Sequence, residues 1–219
     1  MGCVQTLLEA LDASPSESDD VQAEPMKQRL RARFAEAGHP AVRFSSVETP
    51  IGAVFIGLSN TGVCDVAFGQ TSEDAYRQRL LERTPEVWRD EVALAEITRE
   101  LTAYFAGRLE VFSVPVDLRA ATRFTVRVLT ETRKVQFGHV TSYGELATRL
   151  GVPGGSRAVG GALGRNPVPI IIPCHRVLAR GGRLGGFTGG LTIKRALLGL
   201  EGHRLDEETQ GSSNVAVGG

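Results

Sequence analysis

The tightest constraint on this chain is the stretch Asn166–Val177, which reads Asn-Pro-Val-Pro-Ile-Ile-Ile-Pro-Cys-His-Arg-Val. Pro167, Pro169 and Pro173 each fix φ and remove a backbone donor, so no regular helix can pass through it. Residues ahead of a proline are pushed toward extended conformations as well. Ile170, Ile171 and Ile172 make the strip apolar enough to be buried, which predicts a stiff, extended segment that holds Cys174 in one place. His175 and Arg176 follow at once. A thiol beside cationic side chains, at the start of a short helix, has a lowered pKa and becomes a usable nucleophile. The alternative is a structural cysteine, since free cysteines are among the most buried residues.

Charge divides the chain into two unlike halves. The formal net charge is zero over 219 residues, yet residues 1–119 hold 12 Lys and Arg against 19 Asp and Glu, while residues 120–205 hold 13 against 3. A basic half of this kind attracts polyanions, nucleic acid first among them. The length suits one or two domains with a real core, and a hydrophobic content of 42% is that of a soluble protein. No apolar run approaches the roughly 20 residues needed to cross a bilayer. The chain does not open as a secretory signal does. Three scattered cysteines make no disulfide framework and point to a reducing compartment.

Residues 1–40 read as a disordered or weakly ordered extension, with Ser14–Glu24 rich in Ser, Pro, Asp and Glu. Met1–Thr6 fits the loose myristoylation pattern, with Cys3 as a palmitate site; an incidental N-terminus is the better reading. A compact domain is expected from Ala41. Val42–Glu48, Ala53–Leu58 and Val63–Phe68 read as strands, with turns at Thr49–Gly52 and Ser59–Gly62. Cys64, Val66 and Phe68 are expected on one face, which makes Cys64 a core residue. Ser72–Arg83 and Trp88–Gly107 read as helices, the second with an apolar stripe of Val92, Ile97, Leu101, Tyr104 and Phe105. Nothing in this half carries obvious chemistry.

The basic half opens with a helix over Arg123–Val135. Ser142-Tyr143-Gly144-Glu145 is a capping box for a helix to about Leu150; Gly151–Gly155 turns, and Ser156 is placed to cap a helix over Arg157–Leu163. Helix, glycine-bearing turn and helix is the helix-turn-helix arrangement. Ala158, Gly160, Gly161 and Ala162 make the second helix small-faced, and its two glycines cost about 2 kcal/mol against alanine. Such a face suits either a DNA minor groove about 6 Å wide or a neighbouring helix. Gly181–Gly190 matches no phosphate-cradling motif and reads as a lip over a pocket. Leu191–Leu200 is a last helix, and residues 206–219 a flexible tail.

The Asn-Pro-Val-Pro and Pro-Cys-His-Arg-Val run resembles the active-site signature of the O6-alkylguanine-DNA alkyltransferases. The likeness covers residues 42–205 and includes Ser142-Tyr143, Arg157–Ala162, Gly189-Gly190-Leu191 and Glu201–Arg204. It implies an α+β domain over 41–117, with a small antiparallel sheet of ribonuclease H-like form. A mainly helical winged-helix or helix-turn-helix domain over 118–205 would carry the cysteine. It implies direct-reversal repair in which Cys174 irreversibly accepts one alkyl group from guanine O6, or from thymine O4, in double-stranded DNA. His175 and Glu201 would draw the thiol proton away through a water, and Tyr143 would crowd a phosphate and protonate the leaving base. Arg157 would fill the hole left by the flipped guanine, with Ala158, Gly160 and Thr125 also at the DNA. Val177, Phe187, Thr188 and Asn166 would form the base pocket, with Phe187 where several relatives have tyrosine. No cofactor is implied. His39, Cys3 and Cys64 are too few for the zinc site of some relatives, so no metal is expected. The resemblance further implies a monomer acting in the cytoplasm, or in the nucleus of a eukaryotic cell. The competing readings are a lesion sensor of the same fold, which would lack the acceptor thiol, and a Cys-His hydrolase, which needs a separate facing base.

Overall fold

The structure, a computed structural model, describes residues 41–69, 72–84 and 86–203. The expected extension over 1–40 and tail over 206–219 lie outside the described residues.

Strand β1 (Ala41–Thr49) pairs antiparallel with β2 (Gly52–Leu58), which pairs antiparallel with β3 (Val63–Ala67). These are the three expected strands. A fourth, β4 (Glu86–Arg89), lies beside β1 and completes the order β3-β2-β1-β4. The predicted helix over 88–107 therefore loses its first turns. Asp90 is the reason: its backbone N–H donates to Phe44 O at 2.9 Å, and its Oδ1 accepts from Ala93 N at 2.9 Å. A short acidic side chain that bonds the backbone locally competes with helix and holds a turn instead. Helix α2 starts only at Ala95 and runs to Phe105, so Val92 is 89% exposed and Leu94 takes the buried place assigned to it.

Register also corrects the reading of β3. Asp65 pairs with Gly57 and Val63 with Leu58, so Cys64 is the extra residue of a bulge. Alternation breaks there. Val66 packs into the main core, while Cys64 lies against the smaller cluster of Phe44, Phe55 and Tyr76, its thiol donating to Gly57 O at 3.4 Å. That cluster is covered by α1 (Glu73–Leu81), capped by the Ser72 hydroxyl through Ala75 N.

The opposite face of the sheet packs on α2, and the same core continues without a break into the helical half. Val54, Ile56, Leu101 and Tyr104 belong to one cluster with Leu129, Leu146, Val159 and Leu197. The connection is pinned to the sheet by Val63 N to Pro115 O at 2.9 Å and Asp117 N to Val63 O at 2.8 Å. Gly62 permits this: it has φ +151°, and a Cβ there would meet Pro115 O at 2.6 Å.

In the helical half, α3 (Arg123–Thr132), α4 (Tyr143–Arg149) and α5 (Ser156–Leu163) pack together, and α6 (Gly190–Leu200) is the last helix among the described residues. Two short strands, β5 (Thr141–Ser142) and β6 (Val177–Leu178), pair in parallel. The capping box on α4 forms, Ser142 Oγ accepting from Glu145 N and Glu145 Oε2 from Ser142 N. Ser156 does not cap α5. It is the first helical residue, and Gly155 holds the cap position without a side-chain bond.

The small residues of α5 are divided between two faces, one packed and one open. Val159, Ala162 and Leu163 are buried, whereas Arg157, Ala158 and Gly161 are exposed. Gly160 lies between them, and a Cβ there would sit 3.7 Å from the Tyr143 ring.

Candidate active site

The proline strip is buried as expected but not extended throughout. Pro169 and Ile172 bridge, Ile172 N donates to Val168 O at 3.0 Å, and Ile170 turns through φ +75°. A β-branched residue at positive φ is an outlier, of a kind that costs about 1–3 kcal/mol and needs its surroundings to hold it. Those surroundings are apolar core on all sides, with Val168, Ile170, Ile171 and Ile172 buried. The strip ends in one 3-10 turn, Cys174–Arg176.

Cys174 is 6% exposed. Asn166, just past the end of α5, binds the strip at three points. Its Nδ2 donates to Ile172 O at 3.0 Å and to Cys174 Sγ at 3.2 Å, and its Oδ1 accepts from Val168 N at 3.1 Å. The expectation of a thiol already lowered in pKa is corrected here: burial pushes Cys174 up, opposed by the Asn166 hydrogen bond and then by the charge of Lys194. The neighbouring cations do not help because their side chains turn the other way, toward Glu201.

That carboxylate is fully engaged. Glu201 Oε2 accepts from Arg176 Nε at 2.8 Å; Oε1 accepts from Arg176 Nη2 at 2.9 Å and from Tyr104 Oη at 2.7 Å, with His175 Nε2 at 2.9 Å. Arg176 Nη1 also donates to Val135 O, at 2.6 Å. Burial alone would raise the Glu201 carboxyl, but the His175 and Arg176 hydrogen bonds bring it down to about 2. An ionised carboxylate only accepts, so Nε2 of His175 carries the proton and Nδ1 holds the lone pair. Nδ1 is buried with no protein partner. Burial also lowers the pKa of His175, which keeps the ring neutral at rest.

Lys194 is a fully buried lysine on α6. Its Nζ donates to Val177 O at 2.6 Å and to Leu184 O, which fastens the lip to the core. Burial lowers its pKa to about 8, with the Cys174 thiolate working the other way. On the lip, Tyr143 Oη donates to Gly186 O at 3.3 Å, and a Cβ at Gly185 would meet the Tyr143 ring at 2.9 Å. Phe187 stacks on Phe68 of the sheet domain, centroids 5.9 Å apart, and stands edge-on to His175 at 6.4 Å.

A pocket of about 1090 Å³ has Cys174 in its wall together with Tyr143, Arg157, Gly160, Phe187 and Thr188. Tyr143, Arg157, Gly160, Phe187, Thr188 and Cys174 are thus brought together as expected. Ala158 is exposed beside Arg157 on α5. Val177 is buried behind the wall, and Lys194 already uses its carbonyl. Thr125 is a correction. It is 2% exposed, and its hydroxyl accepts from Thr122 Oγ1 at 3.0 Å inside the α3 cap, so its side chain offers no surface to DNA. Among the described residues, no group of three or more His, Cys, Asp and Glu could hold a metal ion, and no helix is long and apolar enough to cross a membrane.

Comparison with known proteins agrees with this arrangement. Residues 42–118 match the ribonuclease-like domain of 6-O-methylguanine DNA methyltransferase, and residues 123–203 match its DNA-binding domain. A methylated-DNA–protein-cysteine methyltransferase of Mycobacterium tuberculosis is 38% identical over 163 residues, 74% of this chain and 94% of the relative. The chain belongs to the 6-O-methylguanine DNA methyltransferase family. The human methylated-DNA–protein-cysteine methyltransferase is 44% identical over 131 residues, 57% of this chain and 63% of that protein. Among solved structures, M. tuberculosis OGT in complex with DNA superposes with a TM-score of 0.64 at 37% identity, covering 73% of this chain and 92% of that one.

Two polar members of this methyltransferase site escaped sequence reasoning. Lys194 sits three and four residues before Leu197 and Leu198, so it occupies the apolar stripe of α6. A lysine in such a stripe is a legible signal of a paired, buried cation. Tyr104 gave no signal, because a tyrosine in the stripe of α2 reads as ordinary core.

Proposed function

We propose that this chain repairs DNA by moving an alkyl group from O6 of guanine, and from O4 of thymine, onto Cys174, once per molecule. The observation that carries this reading is Cys174 in the wall of a pocket large enough to admit a nucleobase, with Asn166 on its sulfur, next to a histidine whose lone-pair nitrogen is buried and whose other nitrogen faces Glu201.

In the proposed sequence the damaged base leaves the stack, because an alkyl group on O6 is out of reach inside a duplex. The Cys174 proton passes through a water to Nδ1 of His175, and Glu201 stabilises the imidazolium. The thiolate forms a bond to the alkyl carbon while the carbon–O6 bond breaks. The electron pair goes to guanine, which takes a proton from Tyr143. A thioether has no easy return. Until a substrate enters, burial keeps the thiol protonated and the histidine neutral. No cofactor takes part. Asn166 holds the sulfur, while Phe187 and the Thr188 backbone frame the base, with the lone pair of the Val177 carbonyl that Lys194 leaves free turned to it as the base enters. The helix-turn-helix presents α5 to the minor groove, with Ala158 and Gly160 admitting close approach. The catalytic domain is taken as 118–205 and the sheet domain as 41–117, acting as a monomer in the cytoplasm or nucleus. A lesion sensor without an acceptor is disfavoured by Cys174 itself. The test is intact mass after incubation with a duplex containing O6-methylguanine: one methyl gained per chain, on Cys174, and none thereafter. Continued turnover would indicate a hydrolase.

Arg157 separates two roles. A phosphate contact tolerates Arg157→Lys, whereas a side chain that fills the space of a flipped base depends on the planar guanidinium. Arg157→Lys keeps partial activity on duplex, and Arg157→Ala loses much more. With free O6-benzylguanine, which needs no flipping, both variants alkylate Cys174 at close to the wild-type rate. The ratio of duplex to free-base rates is the measurement, and equal losses on both substrates would remove Arg157 from the stack.

Duplex affinity falls with salt, since residues 120–205 carry 13 Lys and Arg against 3 Asp and Glu. Each phosphate neutralised contributes about −0.9 to the slope of log K against log salt. A flat titration would mean that this half does not face the phosphates.

A further inference from the structure

The sheet domain sends a side-chain hydroxyl to the reactive centre. Tyr104, fully buried on α2, sends its hydroxyl 2.7 Å to Glu201 Oε1, the same oxygen that faces His175 Nε2. Its ring is fixed by Phe105, Phe112 and Phe137, with centroids 5.3, 5.4 and 6.1 Å away, so the hydroxyl has little freedom to leave. A phenylalanine would fill this place in the core as well, whereas a buried tyrosine hydroxyl must find a partner, and the one it finds is the carboxylate that Arg176 already holds at both oxygens.

We propose that Tyr104 is a positioning residue for alkyl transfer: through Glu201 it sets how firmly His175 holds a proton, and so makes the sheet domain part of the relay. Three donors share Oε1, and each one drains charge from the others. With the tyrosine donating, Glu201 holds His175 in the tautomer that presents Nδ1, yet stabilises the imidazolium less than it otherwise would. The proton is therefore accepted from the thiol and released again, rather than kept. Tyr104 itself stays protonated, because burial first and the Glu201 charge next push its pKa well up. The other groups bearing on His175 are Arg176 beside it, Lys194 from α6 and Cys174 in the same turn; both cations lower its pKa, after burial. Lys194 and Cys174 do not touch Tyr104, and Arg176 meets it at the shared Glu201 Oε1.

This rests on the roles proposed above for Cys174, His175 and Glu201, so the experiment has one arm that does not need alkyl transfer. Tyr104→Phe keeps the ring and removes only the donor; 3-fluorotyrosine at 104 keeps the shape and donates more strongly. The pKa of His175 is followed by NMR in each protein, with His175→Gln to assign the signal. In parallel, the rate of Cys174 alkylation by free O6-benzylguanine is measured against pH. The expected result is a His175 pKa raised by roughly half a unit to one unit in Tyr104→Phe and lowered in the fluorotyrosine protein, the acid limb of the rate profile moving with it. Duplex affinity stays unchanged. An unmoved His175 in both proteins would overturn the proposal, as would a rate lowered equally at every pH. A His175 that moves while no alkylation occurs in any protein would instead sink the assignment of Cys174 and leave Tyr104 coupled to the histidine.

Discussion

Replacing Cys174 by serine abolishes alkyl transfer and leaves duplex binding nearly unchanged. A hydroxyl at this site is far harder to deprotonate than a thiol, and His175, held neutral by burial, is too weak a base to activate it. The protein folds, because the smaller oxygen still accepts from Asn166 Nδ2, which now approaches the sulfur at 3.2 Å. Binding survives because Cys174 is buried, whereas Arg157 and Ala158 lie at the surface of α5. The assay is transfer of a labelled methyl group from duplex to protein, beside a binding titration. Cys64 gives no rescue: burial pushes its thiol up to about 12, and it is bound to Gly57 O on the far side of the sheet. A methyl group found on another residue of the serine variant would remove Cys174 from its place in the reaction.

Glu201→Gln is expected to cost about 3 kcal/mol or more, a fall in Tm of roughly 10 °C, because it leaves Arg176 buried without its counter-charge. The alkylation rate falls too, since an amide stabilises the His175 imidazolium poorly. The two losses come apart in the double variant Glu201→Gln with Arg176→Gln. Removing the orphaned charge restores much of the Tm, while the free-base alkylation rate stays low. Recovery of both together would mean that Glu201 serves only the fold. The wild type reports the same pair through pH. The Glu201 carboxyl titrates at about 2 when folded against an ordinary 4.5, so the folded state binds fewer protons there than the unfolded chain. Its contribution to stability is complete above 4.5 and is lost as the pH falls toward about 2. His175, lowered from 6.5 by burial, adds a loss in the same direction that begins below 6.5. Unfolding monitored from neutral to acid pH should therefore steepen in Glu201 wild type and flatten in the double variant.

Much of the site was legible because it is written in consecutive residues. The capping box of α4 forms from the Ser-x-x-Glu spacing alone, since both partners lie within one turn. The proline strip is buried and non-helical for reasons internal to it. The turns of the sheet follow from Thr49–Gly52 and Ser59–Gly62 in the same way. Elsewhere local reading failed where a distant group won. Asp90 ended a helical pattern by bonding to Phe44 on another strand, and a bulge turned Cys64 to the opposite face from Val66. Thr125, which the resemblance places at the DNA, is enclosed by the α3 cap.

By itself the sequence determined which residue carries the thiol, that three prolines keep the strip leading to it out of a regular helix, and that the thiol lies in a basic half. Only the tertiary structure decided the state of that thiol. Burial raises its pKa where neighbouring cations had suggested the reverse, because His175 and Arg176 turn away to Glu201 while the opposing cation, Lys194, comes from α6. The structure alone brought Tyr104 across 97 positions of chain to the same carboxylate. Sequence specifies the donors and acceptors, but a buried charge takes its partners from whatever the fold packs against it, and no local pattern records that.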